Sequence, residues 1–400
     1  MTKIEEIFRS DELLVKKVGN FSKDHIVVTF DSYNDIYTLE RQGFGESFFL
    51  QHKIDAIHFI TKNNNWYQDN DIPDVLRKIL DITKTYDCVF TYGSSMGGYA
   101  AIRHAAFLNA RVIAFSPQYS VDSRVLPEER RWTANTAGIK FVVEKRERIP
   151  HGREEAIIFY DPLEKEDIMH VEKIAQDIPV LKVPLPYAGH VSIAFLMELG
   201  LLEGTILDIV NNNQLDLDKL LSETRARRKG TTRYYESLAQ HLSRKHPALA
   251  LAIIRKAVSL PIIGYGTISF LVSHLRANGL YDEAETEARK LIEQDPANTS
   301  FRKTFCLTLL DNNKFFEARK ELWALMHLSP NKADICHLIA SSYKKEASIR
   351  KINQLKFKAR LFRYPVLVLV TLKLEALLSR MGQYMTRCVN PERLRLFHKK

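Results

Sequence analysis

Sulfur is scarce in this chain. Four cysteines, Cys88, Cys306, Cys336 and Cys388, are spread over 400 residues without a CxxC pair, which excludes a zinc ribbon, a thioredoxin-type site and a disulfide-framed miniprotein. Glycine and proline are also sparse, at 16 and 14, so collagen and wholesale low-complexity disorder are ruled out. No stretch reaches about 18 consecutive apolar residues, and the opening MTKIEEIFRSDELLVKK is acidic where a signal peptide is basic and then apolar. These absences predict a globular, cytoplasmic protein in a reducing compartment that does not span a membrane. With 45% hydrophobic residues and a length worth two or three domains, it can bury at least one full core.

The net charge of +10 is not evenly distributed. Residues 351–400 hold twelve Lys/Arg against Glu375 and Glu392 and so carry the whole excess. The first 350 residues are balanced, as expected of a chain whose main part does not seek a polyanion.

Short β-branched runs alternate with helical patterns through the first 200 residues. Candidate strands are 25–31 (HIVVTFD), 54–60 (IDAIHFI), 88–92 (CVFTY), 111–115 (RVIAF), 156–160 (AIIFY) and 180–185 (VLKVPL), with helical patterns over 72–83, 97–108 and 167–176. Nearly continuous apolar strands separated by helices predict an α/β protein with a parallel sheet covered on both faces. Residues 118–153 are too long for an ordinary connection, and their PEERRW and EKRERIPHGREE runs predict a polar cap over one end of the sheet.

Beyond Gly200 the pattern is helical throughout. Tyr281-Asp-Glu-Ala284 and Phe315-Phe-Glu-Ala318 lie 34 residues apart, as do Pro296 and Pro330, which is the tetratricopeptide (TPR) period. A degenerate unit over 243–261 precedes them. The expected organisation is a first domain over 1–210, a linker over 211–232 where NNN, RARRKG and TT break the hydrophobic pattern, TPR-like repeats over 233–350, and basic amphipathic helices over 351–400.

The strongest chemical signal is Tyr92-Gly93-Ser94-Ser95-Met96-Gly97-Gly98, between a strand and an Ala-rich helix. Read as G-x-S-x-G, it places Ser95 at a nucleophile elbow, with Ser94 one residue too early, and makes the Met96 amide an oxyanion donor. A serine hydroxyl needs a histidine base and an orienting carboxylate. In the order serine, acid, histidine, both appear after later strands: Asp161 after 156–160, with Asp167 as the alternative acid, and His190 after 180–185. Asp161 is favoured because it directly follows its strand. His170, on a helix face, reads as structural or substrate-lining. The second oxyanion amide is assigned to the 29–33 loop, at Ser32 or Tyr33, although no HG-type turn is present there. Tyr33, Trp66 and Tyr67 are candidate pocket residues. Gly43-Phe44-Gly45-Glu46-Ser47-Phe48 lacks the third glycine and the lysine of a phosphate cradle, so it reads as a close-packed turn before a helix and no cofactor is expected.

Residues 24–200, through VVTFDSY, GFGESF, NxWYQ, YGSSMGGYAAIR and FSPQ, resemble the α/β-hydrolase superfamily, in particular bacterial proteins that join this fold to TPR-like tails. The resemblance implies a serine-nucleophile fold with Ser95, Asp161 and His190 at the triad positions. The leading expectation is a serine hydrolase, esterase-like, cleaving a small-molecule, lipid or glycan acyl ester through an acyl-enzyme. The alternatives are an acyltransferase to a glycan or lipid hydroxyl and a non-catalytic interaction protein whose TPR-like half binds a protein partner. For the basic tail, a capping helix of the solenoid is favoured over attachment to an anionic membrane surface, and nucleic acid ranks last.

Overall fold

The computed structural model describes residues 4–34, 36–141, 149, 154–260, 265–328 and 332–361. Two compact units divide the chain, residues Met1–Asn278 and Gly279–Lys400.

The first unit is built on one eight-stranded sheet in the order β1-β2-β4-β3-β5-β6-β7-β8. The strands are β1 (Ile4–Arg9), β2 (Leu13–Val18), β3 (His25–Phe30), β4 (Asp55–Thr61), β5 (Cys88–Ser94), β6 (Arg111–Phe115), β7 (Ala156–Tyr160) and β8 (Val180–Pro184). From β4 to β8 every pair is parallel, as the continuous apolar runs predict. The sheet is not parallel throughout, because β1 and β2 form an antiparallel hairpin that joins β4 antiparallel. The sequence reading missed both strands. β1 is an edge with mostly exposed charged residues, so it lacks the apolar signature of a buried strand.

Helices α1 (Glu46–Gln51), α2 (Ile72–Thr83), α3 (Met96–Ala105), α4 (Thr133–Thr136), α5 (Lys165–Asp177), α6 (Ser192–Glu198) and α7 (Leu202–Asn212) lie between or after the strands. Two apolar clusters flank the sheet. One gathers Ile26, Val28, Phe30 and Ile158 with Val75 and Ile79 of α2 and Ala101 and Ala105 of α3. The other gathers Val27, Ile113, Ile157 and Val183 with Phe195, Ile206 and Ile209. The central strands β3, β5, β6 and β7 therefore bury both faces, and the loops at the strands' carboxyl ends are left accessible. The turn expected at residues 43–48 does precede a helix: Gly45, at φ 72°, caps α1.

The expected linker at 211–232 is not extended. It contains the end of α7, then α8 (Leu217–Arg227) and a 3₁₀ turn, and Leu220 is buried in the second sheet cluster. α9 (Thr232–Ser243), α10 (Pro247–Ala257) and α11 (Tyr265–Ala277) complete the unit. α9 is tied down at its first turn, where Thr232 donates its amide (2.8 Å) and hydroxyl (2.9 Å) to Glu198. The charged RARRKG run gave a linker signal, yet the Arg228 guanidinium stacks over Tyr187 and Tyr234, so part of that charge is spent on packing.

The second unit contains α12 (Tyr281–Gln294), α13 (Thr299–Asp311), α14 (Phe315–Leu328) and α15 (Lys332–Leu361). The 34-residue period falls on α12 and α14, and Ala284 and Ala318, its matched alanines, are both fully buried. A small side chain at that position lets neighbouring helices approach closely. Among the described residues no helix is long and apolar enough to cross a membrane. Residues 362–400, which carry most of the basic tail, lie outside the described residues, and so do the readings made for it.

A chain ending at Asn278 is expected to unfold cooperatively in urea, whereas one ending at Asn213 strips Leu220 and Tyr234 from the sheet cluster and Thr232 from Glu198. Aggregation or a lost transition is expected for the shorter chain. Equal stability of the two would place the unit boundary back at 211–232.

Candidate active site

Ser95 stands between β5 and α3 with φ 53° and ψ −113°, a conformation that non-glycine residues hold only when the surroundings impose it. Two glycines impose it here. A Cβ on Gly97 would lie 2.2 Å from the Phe30 carbonyl oxygen, and one on Gly93 would lie 2.3 Å from the Gly97 carbonyl. Strand and helix therefore meet backbone to backbone, and the chain has room only for a sharp turn. The Ser95 amide donates to the Phe115 carbonyl (2.9 Å), while its own carbonyl accepts from the Tyr99 amide (2.9 Å). Met96 is the first residue of α3, so its N–H has no partner within the helix. The Ser32 hydroxyl donates to the Ser94 carbonyl (3.0 Å) and holds the loop after β3 beside the elbow.

The Ser95 hydroxyl lies 2.9 Å from His190 Nε2. His190 Nδ1 lies 2.8 and 2.9 Å from the two carboxylate oxygens of Asp167. Burial works to raise the Asp167 pKa, but the His190 hydrogen bond and the Arg131 charge outweigh it and hold the group below the ordinary carboxylate value. An ionised carboxylate only accepts, so Nδ1 carries the proton and Nε2 is left to accept from serine.

The carboxylate at the imidazole is thus Asp167, where the sequence reading favoured Asp161. Asp161 is buried at the end of β7 and spends its oxygens on main-chain amides, those of Gly189 (2.8 Å) and Leu163 (2.9 Å). It shapes the turn that presents His190, in which Tyr187 and Gly189 both have positive φ. Asp167 sits in the first turn of α5, where a helix N-terminus favours negative charge. Adjacency to the strand pointed to Asp161, but the helix turn decides which carboxyl reaches the ring.

The pocket residues divide in the same way. Trp66 and Tyr67 are fully buried and so do not line an open pocket. Trp66 Nε1 donates to Gln118 (2.5 Å) and the Tyr67 hydroxyl donates to the Asp31 carbonyl (3.0 Å). Tyr33 is half-buried, with its ring 5.0 Å from Trp132 and 6.0 Å from Trp66. The Trp132 ring in turn lies 6.5 Å from the His190 imidazole. Trp132 and Arg131 are neighbours of the site that the sequence reading missed. Their signal was present in PEERRW, which read only as a polar cap.

Behind Asp167 lies a second polar layer. Arg131 Nη1 donates to Asp167 Oδ1 (2.9 Å), and its Nη2 donates to Glu129 (2.7 Å). His170 accepts the Tyr119 amide at Nδ1 (3.1 Å), so its Nε2 carries the proton that it donates to Glu129 (2.8 Å). His170 is therefore structural, the first of its two expected roles. Burial and the Arg131 charge work to lower its pKa, and it falls below the ordinary histidine value despite Glu129.

The strand order, the serine at the β5–α3 elbow and the helices on both sheet faces define an α/β-hydrolase fold, followed by a helical, TPR-like region. No family model matches the chain, and no curated protein matches it. Among solved structures it is similar to an esterase from Pyrococcus furiosus, with 16% identity, 52% of this chain and 91% of that one covered, and a TM-score of 0.34. It is similar also to an α/β hydrolase from a Medee basin deep-sea metagenome library, at 14% identity, 55% and 98% coverage and a TM-score of 0.30. A third is YrrB, a TPR protein described as having an unusual peptide-binding site, at 17% identity, 36% and 75% coverage and a TM-score of 0.27.

Glu129 gives a pH-dependent test of the polar layer. Burial opposes its charge, but the His170 and Arg131 hydrogen bonds prevail and its pKa drops to about 2. The stabilisation is then complete above the unfolded value of about 4.3 and is lost as pH falls through the folded one. Glu129→Gln is expected to lower unfolding stability at pH 7 by on the order of 3 kcal/mol, with the gap closing below about pH 4. Urea denaturation over a pH series measures this, and a gap independent of pH would contradict it.

Proposed function

We propose that the chain is a serine hydrolase of carboxylic ester or related acyl bonds, with Ser95 as nucleophile, His190 as general base and Asp167 as the orienting acid. The observation that carries this reading is the unbroken line from Ser95 Oγ to His190 Nε2 at 2.9 Å and from His190 Nδ1 to Asp167 at 2.8 Å.

Attack by Ser95 Oγ on the acyl carbon forms the C–O bond as His190 Nε2 takes the hydroxyl proton. The imidazolium is held by Asp167, and the negative charge moves to the former carbonyl oxygen. The Met96 amide at the α3 N-terminus stabilises that oxygen, with a main-chain amide from the Ser32 loop as the second donor. Collapse breaks the bond to the leaving alcohol, which takes its proton from His190. Water then repeats the sequence on the acyl-enzyme and releases the acid and free Ser95.

A second reading, transfer of the acyl group to a sugar or lipid hydroxyl, is favoured by the enclosure of the nucleophile. Ser95 is only 9% exposed, and Trp132 and Tyr33 stand on the His190 side, an arrangement that limits water. Partition of an activated ester between water and added alcohols separates the two readings.

In p-nitrophenyl ester turnover, Ser95→Ala and His190→Ala are each expected to cost about 10⁴-fold or more in kcat, and Asp167→Ala to cost clearly more than Asp161→Asn. Retention of most activity by Ser95→Ala would overturn the assignment. The reverse ranking of the two aspartates would move the acid back to Asp161.

A further inference from the structure

We infer that Arg131 is a positioning residue for the His190 base, acting through the carboxylate of Asp167 that the two side chains share. The inference rests on the serine-hydrolase reading above and extends it to residues 129–131, which then have to be seated for the serine to react.

The sharing is specific to one oxygen. Asp167 Oδ1 receives both His190 Nδ1 at 2.8 Å and Arg131 Nη1 at 2.9 Å. The rest of the guanidinium is committed elsewhere, with Nε at 3.1 and 3.2 Å from the two Glu129 oxygens and Nη2 at 2.7 Å from Oε2. The Arg131 amide also donates to Glu129, at 2.7 Å. Glu129 is fixed in turn by His170 of α5, whose far nitrogen is occupied by the Tyr119 amide. The side chains of Glu129 and His170 are wholly buried and that of Asp167 is 1% exposed. Arg131 therefore has little freedom to rotate: its planar fork is seated on Glu129, and the remaining Nη1–H is aimed at Asp167 Oδ1.

Anchoring the segment alone would not require this contact, because Glu129 already meets His170 and the Arg131 main chain. The additional N–H goes to Oδ1, the nearer of the two Asp167 oxygens that both face the imidazole. Without it, Asp167 would be a buried anion with His190 as its one charged side-chain partner and the α5 N-terminal turn behind it, freer to turn toward other donors or to take up a proton. The charged and titratable groups around it are Arg131 and Glu129 from the β6–β7 segment, Glu164 and His170 on or beside α5, and His190 from the loop after β8. Among these Arg131 supplies the fixed positive charge. The sequence LPEERRW places the glutamate and the arginine two residues apart, so one turn of chain supplies both the anchor and the arm.

The test compares second-order labelling of the full chain by a fluorophosphonate for the parent, Arg131→Met, Arg131→Lys, Asp167→Asn and the Arg131→Met/Asp167→Asn pair. Arg131→Met is expected to slow labelling on the order of 30-fold, the loss of one charged hydrogen bond. Arg131→Lys is expected to recover part of it, since a lysine reaches one carboxylate but not both. With Asp167 already replaced, Arg131→Met is expected to change the rate by less than about threefold, because its route to the base is gone. A readout that does not depend on activity is the downfield Nδ1–H resonance of His190 in histidine-labelled protein, assigned by its loss in His190→Gln. It is expected to shift or broaden in Arg131→Met. An unchanged rate and resonance would overturn the inference, as would an equal loss in both backgrounds, which marks a structural role. A parent chain that fails to label would retire the hydrolase reading, while the resonance comparison would still decide the role of Arg131. If Arg131→Met does not fold, Arg131→Lys carries both comparisons.

Discussion

Holding a negative charge at Asp167, out of water and against one nitrogen of His190, is the constraint on which the site depends. A buried carboxylate with too few donors takes up a proton or moves. Here three supports converge on it: the imidazole, a guanidinium and the N-terminal turn of α5. Each comes from a different stretch of chain, after β8, between β6 and β7, and after β7. The sheet brings the three together because parallel strands release their loops at one edge. The fold thus contributes to the chemistry mainly by delivering charges that a short peptide would not assemble.

Steric constraint does at Ser95 what charge does at Asp167. The backbone approach of Gly97 to the Phe30 carbonyl leaves no space for a side chain, and the turn this permits holds serine at a positive φ. The strain is offset by the apolar packing of α3, in which Tyr99, Ala100 and Ala101 are fully buried. Asp161 is part of the same construction. Displaced from the imidazole, it holds the amides of the turn that carries His190, so the two aspartates divide one task, one setting the loop and the other the ring.

The sequence was informative wherever a local rule had one solution. Six strands rich in β-branched and aromatic residues and a serine between two obligate glycines are such cases, and so are two buried alanines 34 residues apart on α12 and α14. It was ambiguous where three-dimensional reach decided. Asp161 and Asp167 are six residues apart, and only the direction of the first turn of α5 separates them. β1 was missed because a charged edge strand lacks an apolar pattern, and β2 because its apolar run LLV is cut short by Lys16 and Lys17. The run at 225–230 carried a linker's polarity while Arg228 was packing on two tyrosine rings. Arg131 was hidden by composition, since a charge-rich run reads as solvated until its partners are known to be buried.

The most direct measurement is the site of covalent modification in the intact protein after reaction with a phosphonate ester that mimics the acyl transition state. Intact mass followed by peptide mapping is expected to show one adduct per chain, on Ser95, and none in His190→Ala under the same conditions. A stoichiometric adduct on another residue, or modification of Ser95 that is indifferent to His190, would contradict the account of this site.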